Sequence, residues 1–139
     1  MKASQKLYLA IAGSLLMFSA GVTRAHHSVS GVFDTTNNKT VTGVLTKVEL
    51  INPHSYMHFD IKNAQGKVES WSFETGTPAA LKVMGISVRD TFKTGQTYKL
   101  VYSPARSKTA GNIGLLSSLV LPDGRVVGFG GKQNTDAYK

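Results

Sequence analysis

Cysteine does not occur anywhere in the 139 residues. That excludes disulfides, thiolate metal sites and a lipid anchor on a leader cysteine, so an ordinary apolar core must hold the fold. No apolar run is long enough to cross a bilayer: Leu7 to Phe18 gives only a dozen residues, against the ~20 that a spanning helix needs. Catalytic signatures are missing as well. No serine sits in a Gly-x-Ser-x-Gly elbow, no His-Glu-x-x-His or phosphate loop occurs, and no pair of carboxylates stands out. These absences predict a protein that is not an enzyme. Runs of one charge are absent too, despite a formal net charge of +8. The lysines stand singly (Lys39, Lys47, Lys62, Lys67, Lys82, Lys93, Lys99), which suits solvated faces and blunted strand edges rather than a nucleic-acid groove.

What is present begins with an export signal. Lys2 and Lys6 precede the apolar stretch, and Thr23-Arg24-Ala25 supplies small residues where a signal peptidase reads, so residues 1–25 are expected to be removed before His26. A short domain without disulfides fits a bacterial periplasm, with no stable membrane insertion after cleavage. The remaining 114 residues carry 13 basic and 8 acidic side chains, a net +5, and suffice for one domain but not two.

The exported part reads as β. Residues 26–39 are polar and turn-rich, an irregular arm. From Thr40 to Leu50 β-branched residues dominate, and Gly43 allows a bulge or bend there. Asn52-Pro53 ends that strand, because proline has no N–H for a ladder. In Tyr56–Lys62, Met57, Phe59 and Ile61 fall on one face and Tyr56, His58 and Asp60 on the other. Asn63–Gly66 is a hairpin loop, and the return strand Lys67–Glu74 puts Trp71 and Phe73 on one face. Thr77-Pro78 opens a short helix that Gly85 closes. Residues 89–96 turn into a strand at Thr97–Tyr102, followed by Leu115–Leu121 and a hairpin through Pro122-Asp123-Gly124 to Arg125–Phe129. Three strands, a helix and two more strands predict an OB-like five-stranded barrel over residues 40–130, an all-β domain with one short helix and a flexible tail at 131–139. A small open β-sandwich is the alternative.

The four histidines form two groups, His26-His27 and His54…His58. As a new N-terminus, His26 offers an α-amine (ordinary pKa near ~8) and its own Nδ1, which close a chelate ring on one ion. A third nitrogen completes a site suited to Cu(II), the strongest binder of the divalent series. Cleavage one residue earlier makes His27 the third residue, and a square-planar Cu(II) or Ni(II) site of amine, backbone nitrogens and His27 results. A regular strand holds the Cα atoms of His54 and His58 ~13 Å apart, too far to share an ion. His54, at a strand entrance, is the better internal ligand; His58 suits a supporting or hydrogen-bonding role, and Glu74 is a further possible ligand. The candidate metal residues are therefore His26, His27, His54 and His58. Set beside this is a purely structural role, with the His-His pair a solvent-exposed arm and Asn-Pro-His a turn.

Several motifs resemble a known family. Ala25-His26-His27-Ser28, Asn52-Pro53-His54, Trp71…Glu74 and Gly85…Arg89-Asp90…Gly95 are similar to those of domain-of-unknown-function family 6152, small exported bacterial proteins. The resemblance implies size and compartment and brings no activity. Ile51 stands where that family usually has an aromatic residue, which removes a stacking partner but leaves the histidines untouched. The leading expectation is a periplasmic protein binding copper or another divalent transition metal. The alternative is a non-enzymatic module that binds a protein, glycan or small solute on its barrel face, with Tyr56, His58, Trp71, Tyr98 and Tyr102 as aromatic contacts.

Overall fold

The structure, a computed structural model, describes residues 29–129. The expected leader, His26, His27 and the tail from residue 131 lie outside those residues. Within them the order is α1 (Val29–Val32), β1 (Lys39–Glu49), β2 (Tyr56–Lys62), β3 (Val68–Glu74), α2 (Pro78–Val83), α3 (Val88–Thr91), β4 (Thr97–Pro104), β5 (Ile113–Val120) and β6 (Val126–Gly128). No helix among the described residues is long and apolar enough to cross a membrane.

The strands pair in the order β3-β2-β1-β4-β5-β6, and β3 closes on β5 in parallel through Ser72↔Ile113, Phe73↔Gly114 and Glu74↔Leu115. Strands β1 to β5 thus form a closed ring with α2 and α3 between β3 and β4, the OB arrangement, in which closure hides the sheet edges. The open sandwich is excluded by the β3–β5 pairing. β6 continues along the edge of β5 that β3 occupies lower down, pairing with Ser118–Val120.

Period-two alternation builds the wall. In β2, Met57, Phe59 and Ile61 are buried while Tyr56, His58 and Asp60 face outward. Phe59 lies edge-on to Phe73 and Tyr98, with ring centroids 5.9 and 6.2 Å apart, and Leu45, Leu100, Leu116 and Leu119 complete the centre. Two glycines let strands approach at the wall. A Cβ on Gly43 would lie 2.8 Å from Ile61 Cγ1, and one on Gly114 would lie 2.6 Å from Tyr102 Cδ2.

Four local expectations change. The irregularity in β1 falls between Leu45 and Lys47, not at Gly43, whose role is close packing. The segment expected to turn directly into a strand contains α3, whose Ser87 hydroxyl bonds Asp90. The arm is not wholly irregular: α1 is followed by buried Phe33, which bridges to Ala105. Finally, Tyr98 and Tyr102 are not surface contacts. They are 2% and 4% exposed, because the register of β4 against β1 turns them inward. The Tyr98 hydroxyl is satisfied there, accepting from the Lys93 N–H at 2.8 Å and donating to the Lys93 carbonyl at 3.2 Å. Trp71 is half-buried, stacked on Phe73 at 5.7 Å and edge-on to Tyr102 at 5.6 Å.

Candidate functional site

The outer wall of β1, β2 and β3 carries the two described histidines, each facing a carboxylate on a neighbouring strand. Register explains the pairing. Tyr56 stands between Glu49 of β1 and Glu74 of β3, and His58 stands between Lys47 and Ser72. His54 and His58 flank Tyr56 at alternate positions, so each reaches a glutamate on the diagonal, a distance that long side chains cover.

His54 lies in the β1–β2 loop, just after a cis Asn52–Pro53 peptide. The loop is fastened to the end of β3: Ser55 N–H donates to the Gly76 carbonyl at 3.2 Å, and Thr75 N–H donates to the Ser55 carbonyl at 2.8 Å. So held, His54 Nδ1 lies 3.0 Å from Glu74 Oε1. An ionised carboxylate only accepts, so in the neutral imidazole the proton is assigned to Nδ1 and the lone pair to Nε2. Nε2 has no partner among the described residues, and the ring is 45% exposed. This is the carboxylate–histidine arrangement that orients a metal-ligating imidazole.

His58 differs. Its Nε2 lies 3.1 Å from Glu49 Oε2 and its Nδ1 lies 2.9 Å from Ser72 Oγ. The same reasoning assigns the proton of the neutral ring to Nε2, which lets Nδ1 accept from the Ser72 hydroxyl. Both ring nitrogens are engaged. Glu49 is anchored in turn by the Lys47 ammonium, whose hydrogen bond, with that of His58, holds the carboxyl below the usual carboxylate range. Tyr56, between the two glutamates, has its phenol pushed up by burial and by the charge of Glu74.

Among the described residues no three histidine, aspartate or glutamate side chains converge as a metal-holding group. His54 and His58 are directed to different glutamates. His26 and His27 lie outside the described residues, so their relation to His54 is not seen. Of the expected surface aromatics, only Tyr56 and the imidazole of His58 face outward on this wall. Glu74 was among the expected ligands, whereas Glu49 and Ser72 were not; the signal for them is the strand register, which sets Glu49 opposite Tyr56 and Ser72 opposite His58.

A family model described as a family of unknown function, DUF6152, matches residues 15–114. The chain belongs to this family. The DUF6152 match spans all four histidines together with Glu49, Ser72 and Glu74, and it stops at Gly114, early in β5. No curated protein and no solved structure matches the chain.

Proposed function

We propose that this DUF6152 protein is exported to the periplasm, cleaved before His26, and binds Cu(II) through the new N-terminus, with His54 as the internal ligand. The observation that carries the reading is the His54–Glu74 pair, which leaves an exposed Nε2 lone pair fixed in direction. Such outer carboxylates raise ligand basicity and hold the ring. The α-amine and imidazole of His26 supply the chelate, His27 the alternative third nitrogen, and His58 stays with Glu49 and Ser72.

Arg106 holds the start of the described arm, its Nε donating to the Ser30 carbonyl at 2.7 Å and its backbone N–H to the Val32 carbonyl at 2.9 Å. From Ser30 back to His26, four extended residues span at most about 14 Å, which sets the reach this reading requires.

The test is a Cu(II) titration, followed by EPR, of protein with an authentic His26 terminus. One tight equivalent is expected, with nitrogen hyperfine structure altered in His26→Ala and His54→Gln and affinity lost when a methionine precedes His26. Equal binding by the extended protein overturns the reading.

One observation favours the second reading, a solute-binding module. Where β1 crosses β2, a groove of about 720 Å³ is lined by Val41, Val44, Ile61 and Val68 together with Thr42, Asp60, Lys62 and Thr97. That volume suits a small ligand. Chemical-shift changes confined to these residues on addition of a solute, with no copper effect at His54, select it over the metal reading.

A further inference from the structure

The geometry points to Ser72 as a base-activated nucleophile, a site of covalent acylation on the outer wall, with His58 as its general base and Glu49 as a positioning residue. The metal reading uses the histidine whose lone pair faces solvent; this inference uses the one whose lone pair faces a hydroxyl. Glu49, acceptor only, fixes the proton on His58 Nε2 at 3.1 Å and thereby turns the Nδ1 lone pair to Ser72 Oγ at 2.9 Å. Lys47 locks Glu49 from its other side. Nucleophile, base and orienting carboxylate are therefore each within hydrogen-bond reach of the next, which is the arrangement that activates a serine. The site is open to a reagent: His58 and Glu49 are 27% and 32% exposed.

The step balances without a cofactor. Ser72 Oγ forms a bond to the acyl carbon while its proton passes to His58 Nδ1. The bond from that carbon to the leaving group breaks, and the leaving group departs with the electron pair and takes the proton from His58. The backbone limits the substrate class. Ser72 N–H already donates to the Asn112 carbonyl at 2.9 Å, so the nucleophile's own amide is not free to stabilise an oxyanion. Only donors with a good leaving group, thioesters or aryl esters, are expected to react. For the same reason the acyl-serine should persist rather than turn over.

The experiment treats the folded protein, in the presence of a chelator, with p-nitrophenyl acetate and separately with an alkyl fluorophosphonate, read by intact mass and peptide mapping. General-base help predicts one adduct per chain, on Ser72, forming about 100-fold faster than on any other serine. Ser72→Ala and His58→Gln should remove it, and Ser70→Ala, whose hydroxyl bonds Asp60 instead, should not change it. Glu49→Gln should slow it at least about tenfold and shift the His58 ring ¹⁵N signals away from a single Nε2–H tautomer, a change that loss of packing alone does not produce. Adducts spread over several surface serines of the unmutated protein overturn the proposal, whether or not each variant folds. So does Ser72 labelling that survives in a folded His58→Gln protein. Because a chelator is present, either failure leaves the copper reading standing.

Discussion

Replacing Gly114 by alanine separates two opposed effects of known sign. The backbone there is not in the left-handed region, so alanine fits it, and lowering the freedom of the unfolded chain should favour alanine by about 0.5–1 kcal/mol. Packing opposes this. The new methyl would stand 2.6 Å from Tyr102 Cδ2 and 3.1 Å from both Cδ1 and Cε1 of Phe73. Neither ring can swing away: they pack against each other at 5.0 Å, Trp71 stacks on Phe73, and both are buried. The residue also lies in the three-pair ladder that closes the barrel, so a backbone shift would open the β3–β5 seam. Overpacking of this kind costs about 1–3 kcal/mol, and rigid partners place it at the upper end. The net loss is about 2 kcal/mol. For a domain of this size that lowers Tm by about 8–16 °C, readable by circular dichroism. Gly43→Ala serves as the internal comparison. Its methyl would meet Ile61 Cγ1 at 2.8 Å and both the Asp60 carbonyl oxygen and Phe59 Cβ at 3.2 Å, each slightly farther than the contacts at 114, so the loss should be somewhat smaller. An alanine at 114 that leaves Tm unchanged or raises it, or that is milder than alanine at 43, refutes the reasoning.

Truncating Phe59, fully buried between Phe73 and Tyr98, should cost about 3–5 kcal/mol in urea denaturation; a loss under 1 kcal/mol would show that the centre can collapse onto the gap. Glu74→Gln should weaken Cu(II) affinity about 10–100-fold in a competition titration while Tm stays within a few degrees, and an unchanged affinity would remove Glu74 from the site. Glu49 gives a pH prediction. Its folded pKa lies below the ordinary 4.5, chiefly through Lys47 and next through His58, so its contribution is complete above 4.5 and is lost as pH falls through the lower folded value. In Lys47→Met the Glu49 carboxyl resonance should titrate at higher pH than in the parent; titration at the same or lower pH contradicts the assigned cause.

Much of the barrel was legible because its signals are local. The strand read from Tyr56 to Lys62 is β2 as observed, and the helix opened by Thr77-Pro78 begins at Pro78, its cap accepting from Ala80 N–H at 3.0 Å. Alternation, proline and turn glycines act within a few residues. α3 was missed although it too has a local mark, the Ser87-x-x-Asp90 pattern of a helix start, overlooked beside the β-branched residues around it. The candidate site was harder. The histidines stood out by rarity, but their partners Glu49, Ser72 and Glu74 are set by which residues oppose each other across strands, and no short window contains that register. Tyr98 and Tyr102 misled for a related reason. A tyrosine's polar tip suits a surface until a partner is found for it inside, and for Tyr98 that partner is the backbone of Lys93.

The parallel seam between β3 and β5 has a consequence for the order of events during folding. β3 ends at Glu74, but the strand that seals it begins only at Ile113, with α2, α3 and β4 in between. The β1–β2–β3 meander can form early from neighbouring residues, whereas the seam must wait for a long loop to close, so it is a late and slow contact. Until then β3 presents a bare edge able to pair with another chain. Residues 113–115 therefore act as the latch of the molecule. A chain cut before them would keep the histidine–glutamate wall yet remain an open, adhesive sheet.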